Sequence, residues 1–281
     1  VLIMKAAVIG LGLIGASLAK TLKSRGYKAY GWDISPEICD RAVEDGVIEG
    51  LAQNESLSEC GLIFIALYPG DTLDYLRVNA GRIRRGAVVI DCGGVKRAVC
   101  AQAEEIARGH GFLFIGGHPM AGREKSGYAA SSDDLFEGAS MLLTPPEGIE
   151  PDILNRLRAL FSSLGFGRVV FTTPQEHDRI IAYTSQLAHV VSSSYIKSPT
   201  AFEQAGFSAG SFKDMTRVAF LNESMWTELF MDNRDNLIRE IEILQEHLEE
   251  YKRALADNDR EKLLLLLREG RLCKEKADSL N

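Results

Sequence analysis

Short, almost unbroken apolar runs alternate with segments of helical spacing through the first 171 residues. The runs Ala6–Ile9, Ala29–Trp32, Leu62–Leu67, Ala87–Asp91, Phe112–Ile115, Ser140–Leu143 and Arg168–Phe171 predict strands, most of them bounded by Gly, Pro or Asp. Between them the spacing predicts helices over Ile14–Arg25, Pro36–Glu44, Asp71–Ile83, Arg97–Arg108 and Pro151–Leu164. Strands without polar alternation are buried on both faces, so this order predicts a parallel sheet covered on both sides, a doubly wound α/β domain. After Thr172-Thr173-Pro174 the strand runs stop. Helices are predicted over Pro174–Ile196, Phe212–Phe230, Asp232–Ala256 and Asp259–Ala277, with Asp232 and Asp259 as N-caps. Ile238, Ile241, Leu244, Gln245 and Leu248 recur at spacings of three and four and predict one buried stripe. Two domains are therefore expected, 1–171 and 172–281. The helical half has more apolar face than a small bundle encloses, which predicts dimerisation through it, the alternative being packing on the sheet domain.

Composition narrows the possible roles. With 281 residues, 46% hydrophobic, 25% charged and a formal charge of −7, the chain is expected to be globular, and disorder and fibrous repeats are excluded. Net acidity argues against a nucleic-acid partner, which would require many phosphate-neutralising cations. The apolar runs Leu62–Leu67 and Leu263–Leu267 fall far short of the roughly 20 residues of a membrane span. No secretory signal pattern opens the chain, so a cytoplasmic location is expected. Five cysteines, odd in number and without CxxC spacing, suit structural thiols in a reducing compartment. No metal is expected.

Gly10-Leu11-Gly12-Leu13-Ile14-Gly15 follows the first strand and opens the first helix. In that context the first glycine makes the tight turn, the second admits a pyrophosphate to the backbone, and the third lets helix and strand pack closely. Asp33 ends the second strand, where a carboxylate accepts hydrogen bonds from ribose hydroxyls and repels a 2′-phosphate, which points to NAD rather than NADP. Ligands sit beyond the carboxyl ends of such strands. The turns at Leu67-Tyr68, at Gly93-Gly94 and at Gly116-Gly117-His118 are therefore expected to line the cofactor cleft, the glycine pairs either admitting the nicotinamide or only turning the chain.

Five histidines are available for chemistry. His110, in a glycine-flanked turn, and His247, on a charged helix, read as solvent-facing, and His177 as a capping or surface residue near a helix start. His118 stands on the loop after an apolar strand, beside the expected nicotinamide, and is the candidate acid–base group. His189 lies among small residues on the first helix of the second domain.

Gly116-Gly117-His118-Pro119-Met120-Ala121-Gly122, then Glu124-Lys125-Ser126-Gly127, Gln186-Leu187-Ala188-His189, Phe212-Lys213-Asp214-Met215-Thr216-Arg217 and Met225-Trp226 together resemble the prephenate and arogenate dehydrogenases of tyrosine biosynthesis. The resemblance runs over essentially the whole chain. It implies a Rossmann-type doubly wound domain followed by an all-α dimerisation domain, a homodimer, and oxidative decarboxylation of prephenate to 4-hydroxyphenylpyruvate with NAD. It further implies that neutral His118 accepts the proton of the ring hydroxyl as hydride leaves. Arg217 is similar to the family's carboxylate-binding arginine, and His189 to the histidine that reaches the substrate from the helical domain. Lys213, four residues before Arg217, is expected on the same helix face. Trp226 is either core or a wall of the site.

Two positions depart from the family pattern. Gly94 stands where many relatives carry a serine that orients the histidine or substrate, which leaves the orienting partner of His118 open. Arg123 replaces a small hydroxyl residue, either as a further carboxylate clamp or as the partner of an acid such as Glu124. Arogenate is the rival substrate. Hydroxyisobutyrate-type dehydrogenases share the fingerprint but do not explain His118 together with Arg217, and a non-catalytic NAD sensor has no need of either.

Overall fold

The computed structural model describes residues 5–123 and 125–279. Its first compact unit, 1–233, is built on seven strands: β1 (Lys5–Ile9), β2 (Lys28–Trp32), β3 (Leu62–Ile65), β4 (Val88–Asp91), β5 (Leu113–Pro119), β6 (Ser140–Thr144) and β7 (Arg168–Phe171). They lie in the order β2-β1-β3-β4-β5-β6-β7. Strand order reverses between β1 and β3, the switch point at which a doubly wound sheet opens its ligand crevice. The connecting helices are α1 (Leu13–Ser24), α2 (Pro36–Glu44), the unforeseen short α3 (Asn54–Glu59), α4 (Pro69–Asn79), α5 (Arg97–His110) and α6 (Pro151–Ser163). One apolar layer joins α1 and α6 to a sheet face through Leu18, Leu22, Phe64, Ile90 and Phe161. The opposite layer joins α4 and α5 through Ile9, Ile63, Leu76, Val89 and Ala103.

The alternation predicts a parallel sheet, whereas the observed sheet is mixed. β6 runs antiparallel to β5. Among the described residues no crossover helix separates these two strands, and the chain returns instead as a strap over α1, where the Ser132 amide donates to Ser17 Oγ at 3.0 Å and Thr21 Oγ1 to Asp133 O at 3.0 Å. β5 is also longer than its apolar run. Gly116↔Thr144 through Pro119↔Met141 pair with β6, so His118 sits in a strand opposite Leu142 and not on a loop.

Beyond β7, α7 (Pro174–Ile181), a π turn (Ala182–Leu187) and α8 (Ala188–Tyr195) form one predicted helix. The helix expected over Phe212–Phe230 is two, α9 (Gly210–Thr216) and α10 (Glu223–Asp232). The break follows from Asn222, whose side chain accepts the Met225 amide at 2.9 Å and starts a new helix. Asp232 consequently closes α10 and is not the N-cap of the next helix. These helices belong to the compact unit of the sheet. The boundary at 171/172 marks where strands end, whereas packing divides the chain after Asn233.

The second unit, 234–281, holds α11 (Arg234–Ala256) and α12 (Arg260–Asp278). Asp259 caps α12 by accepting the Lys262 amide at 2.9 Å, as the sequence predicts. The expected buried stripe is open: Ile238 and Leu248 are more than half exposed. Two helices alone cannot enclose it.

Candidate active site

Register brings the predicted cofactor segments to one edge. Ile9 pairs with Trp32 and Ile65, and Ile65 with Asp91, so Gly10, Asp33, Leu67-Tyr68 and Gly93-Gly94 all follow carboxyl ends of adjacent strands. Gly10 has φ +86°, and a Cβ there would lie 2.5 Å from Ala66 O. A Cβ on Gly15 would lie 1.7 Å from Gly10 O, whereas at Gly12 nothing stands within 4 Å. Two glycines thus let the turn and helix close, and the third leaves room above the backbone. Leu13 and Ile14 open α1, which has neither a capping side chain nor an acid in its first turn, so its positive end is left to an anion. Asp33 accepts the Leu11 amide at 2.7 Å and the Ser35 amide at 3.0 Å, fixing its carboxylate beside the fingerprint. This cradle fits a dinucleotide.

His118 continues that edge on β5, next to a buried ionic clamp. Lys96, wholly buried at the start of α5, donates to the Asp91 carboxylate and, at 2.7 Å, to Gly117 O. Asp91 in turn accepts the Gly117 and Gly93 amides at 3.0 Å each. A Cβ on Gly117 would meet Asp91 O at 2.5 Å and one on Gly116 would meet Thr144 Oγ1 at 2.2 Å, so this glycine pair serves strand packing and not a turn.

His118 Nδ1 lies 2.9 Å from His177 Nε2, and His177 Nδ1 lies 2.7 Å from Asp178 Oδ1. Asp178 also accepts the Lys96 and Arg97 amides at 2.8 and 2.9 Å, and Asn233 donates to its carbonyl. Burial, then the neighbouring His177 and Lys96, hold the His118 pKa well below that of an ordinary imidazole. Burial likewise lowers His177, against the opposing pull of its bond to Asp178. For Asp178, burial raises the pKa but the hydrogen bonds from His177 and the two amides outweigh it, and the carboxyl stays below its usual range. At neutral pH these shifts favour the neutral form of both imidazoles and the ionised form of the carboxyl.

The surface position expected for His177 is thus corrected: it is 2% exposed. Proximity to Pro174 suggests a cap, but Thr173 fills that role, accepting the Glu176 amide. His177, Asp178 and Ile181 share the inward side of α7, and the spacing 177, 178, 181 was the available signal.

On the helical side, His189 Nδ1 lies 3.0 Å from Val218 O and its ring packs on Trp226 with centroids 4.0 Å apart. Burial chiefly, and Arg217 also, lower its pKa, while its bond to Val218 raises it. Arg217 ends α9, and exposed Lys213 lies in the last turn of that helix. Arg123 bonds Asp134 at 3.1 Å and Ala130 O at 3.3 Å on the strap. Glu124 lies outside the described residues. At Gly94 a Cβ would lie 3.4 Å from Leu229, which occupies the side where a hydroxyl residue would project. His110 and His247 are exposed.

Comparison with known proteins covers nearly all of the chain. The family model described as prephenate dehydrogenase, nucleotide-binding domain, matches residues 18–171 and that described as prephenate dehydrogenase, dimerization domain, matches 173–269. The prephenate dehydrogenase of Bacillus subtilis is 32% identical over 258 residues, covering 86% of this chain and 69% of that protein. The A. aeolicus prephenate dehydrogenase, solved with hydroxyphenyl propionate and NAD+, aligns over 99% of both chains at 27% identity and a TM-score of 0.86. Synechocystis arogenate dehydrogenase aligns over 98% of this chain and 100% of its own at 29% identity and a TM-score of 0.82.

Proposed function

Because the chain belongs to the prephenate dehydrogenase family, we propose that it performs the NAD-dependent oxidative decarboxylation of prephenate to 4-hydroxyphenylpyruvate and carbon dioxide. The observation that carries this reading is a neutral imidazole, His118, on the strand edge that also bears the dinucleotide fingerprint. Bound NAD supplies the acceptor for the hydride leaving ring C4. His118 accepts the proton of the C4 hydroxyl, and departure of the ring carboxylate as carbon dioxide completes an aromatic ring, so the reaction runs one way. Formation of NADH on mixing the protein with NAD and prephenate is the test.

The remaining roles follow from charge and shape. Gly10, Leu11, Gly12, Leu13, Ile14 and Gly15 hold the pyrophosphate, Asp33 the adenosine ribose, and Leu67, Tyr68, Gly93 and Gly94 the rest of the cleft. Arg217 binds a substrate carboxylate with its planar fork, Lys213 adds a second cation, and His189 with Trp226 walls the site. Arg123, held by Asp134, fastens the strap next to the site. Arg217→Ala is expected to raise the KM for prephenate about ten- to hundredfold, the equivalent of one charge-assisted pair. NAD affinity should stay unchanged in a titration of the same variant, and an unaltered KM rejects the assignment.

The protein works as a homodimer in this reading. Ile238, Leu248, Leu255, Leu264, Leu265 and Leu267 on α11 and α12 are exposed apolar side chains of the kind a second copy covers. A cytoplasmic location accords with five free cysteines. Among the described residues, no helix is long and apolar enough to cross a membrane.

A further inference from the structure

The Asp178–His177–His118 chain contains more information than a set of contacts, because an ionised carboxylate can only accept. Asp178 Oδ1 at 2.7 Å therefore places the His177 proton on Nδ1. A neutral His177 then has a bare Nε2, which must accept, so the proton of His118 sits on Nδ1, 2.9 Å away. Among the described residues His118 Nε2 has no hydrogen-bond partner. We infer that His177 and Asp178 are positioning residues that fix His118 in the Nδ1-protonated tautomer and leave its Nε2 as the atom that takes the substrate proton. The inference rests on the reading of His118 given above, and it supplies the orienting partner that Gly94, lacking a hydroxyl, does not provide.

The proton count accords with this arrangement. The C4 hydroxyl proton passes to His118 Nε2 as hydride leaves C4, giving an imidazolium and a ring carbonyl. Breaking the bond between the ring and its carboxylate sends that electron pair into the ring and generates a phenolate oxygen. The proton then returns from Nε2 to that oxygen, so no proton is gained or lost overall. In between, the added charge is shared along the hydrogen bond to His177, whose own Nδ1–H faces the Asp178 carboxylate. The arrangement has the logic of an imidazole held in one tautomer by an acceptor behind it. Here a second imidazole is interposed between the base and the acid. Asp178 is itself fixed by the Lys96 and Arg97 amides at the start of α5 and by Asn233, whose amide also reaches Gln186 Oε1 at 2.8 Å.

Two measurements on the full chain test this. With 15N-histidine labelling and NAD present, the His118 ring, assigned by its loss in His118→Asn, is expected to show the proton on Nδ1 and a bare Nε2 at neutral pH. His177→Leu, which removes the acceptor, is expected to lower kcat about 10²- to 10³-fold, within the range of acid–base contributions, and to shift the His118 proton toward Nε2. The KM values for prephenate and NAD should move by less than about threefold, as befits a group acting through the base. His177→Gln, whose Oε1 can accept the same N–H, is expected to recover most of that loss. A wild-type spectrum with the proton on Nε2, or normal kcat in a folded His177→Leu, overturns the inference. Should the leucine variant fail to fold, the wild-type spectrum and the glutamine variant decide: a glutamine variant as slow as His118→Asn overturns it. Absence of prephenate turnover by the wild-type protein would instead overturn the reading of the reaction, with the spectrum still judging the tautomer.

Discussion

His118→Asn is expected to lower kcat with prephenate by about 10³- to 10⁴-fold, the upper part of the range for a positioned acid–base group, while NAD binds as before. Asparagine can still meet a hydroxyl, but its amide does not take up a proton at neutral pH. The proposed cofactor residues lie elsewhere on the edge, at the fingerprint and Asp33, and His118 supplies none of the hydrogen bonds that hold the Asp33 carboxylate there. The wild-type pH profile carries the same prediction. A base must be deprotonated to act, and burial, His177 and Lys96 all lower the His118 pKa. The acid limb of kcat/KM should therefore fall well below the ordinary imidazole range, leaving the rate flat through neutrality. Steady-state kinetics with a parallel NAD titration checks the variant. Turnover near wild type removes His118 from the chemistry.

Lys96→Met is expected to destabilise the protein by about 3–5 kcal/mol, because it strands the Asp91 carboxylate in a dry interior. Lys96 is wholly buried and Asp91 is 1% exposed, so water cannot take the place of the lost ammonium. The substitution also removes the donor to Gly117 O, loosening the strand on which the next residue is His118. Adding Asp91→Asn to Lys96→Met should restore part of the loss, since an amide has no charge to strand, although it forfeits one of the two acceptors of the Gly93 and Gly117 amides. Denaturant midpoints of the three proteins check this, and a single variant as stable as wild type contradicts the role of the pair. In surviving folded protein the acid limb should move to higher pH, since Lys96 is one of the charges that depress His118.

Both predictions depend on features of unequal visibility in the sequence. The seven strands could be read because each is an apolar run that no helix of ordinary length accommodates, and all seven occur. The fingerprint and Asp33 were legible because the turn, the close packing and the carboxylate are local, needing only a strand before and a helix after. What the pattern missed depends on distant partners. The end of β5 has no apolar run, and only pairing with β6 makes Gly116–Pro119 a strand. The split between α9 and α10 turns on whether Asn222 caps a new helix or rides in an old one, a choice that packing settles. His177 reads as a capping or surface residue because it follows Pro174 near a helix start, whereas its partners, Asp178 beside it and His118 59 residues earlier in the chain, are united only by the fold. The spacing on α11 predicts a buried stripe, but Ile238 and Leu248 stay more than half exposed, because burial of that face needs a partner that a local pattern does not reveal.

Simultaneous assay of NADH and carbon dioxide on the full chain, with prephenate and arogenate offered in turn, addresses the reaction itself. Prephenate is predicted to yield the two products in equal amounts, with a higher kcat/KM than arogenate. No NADH from prephenate, or NADH formed without carbon dioxide, would contradict the assignment.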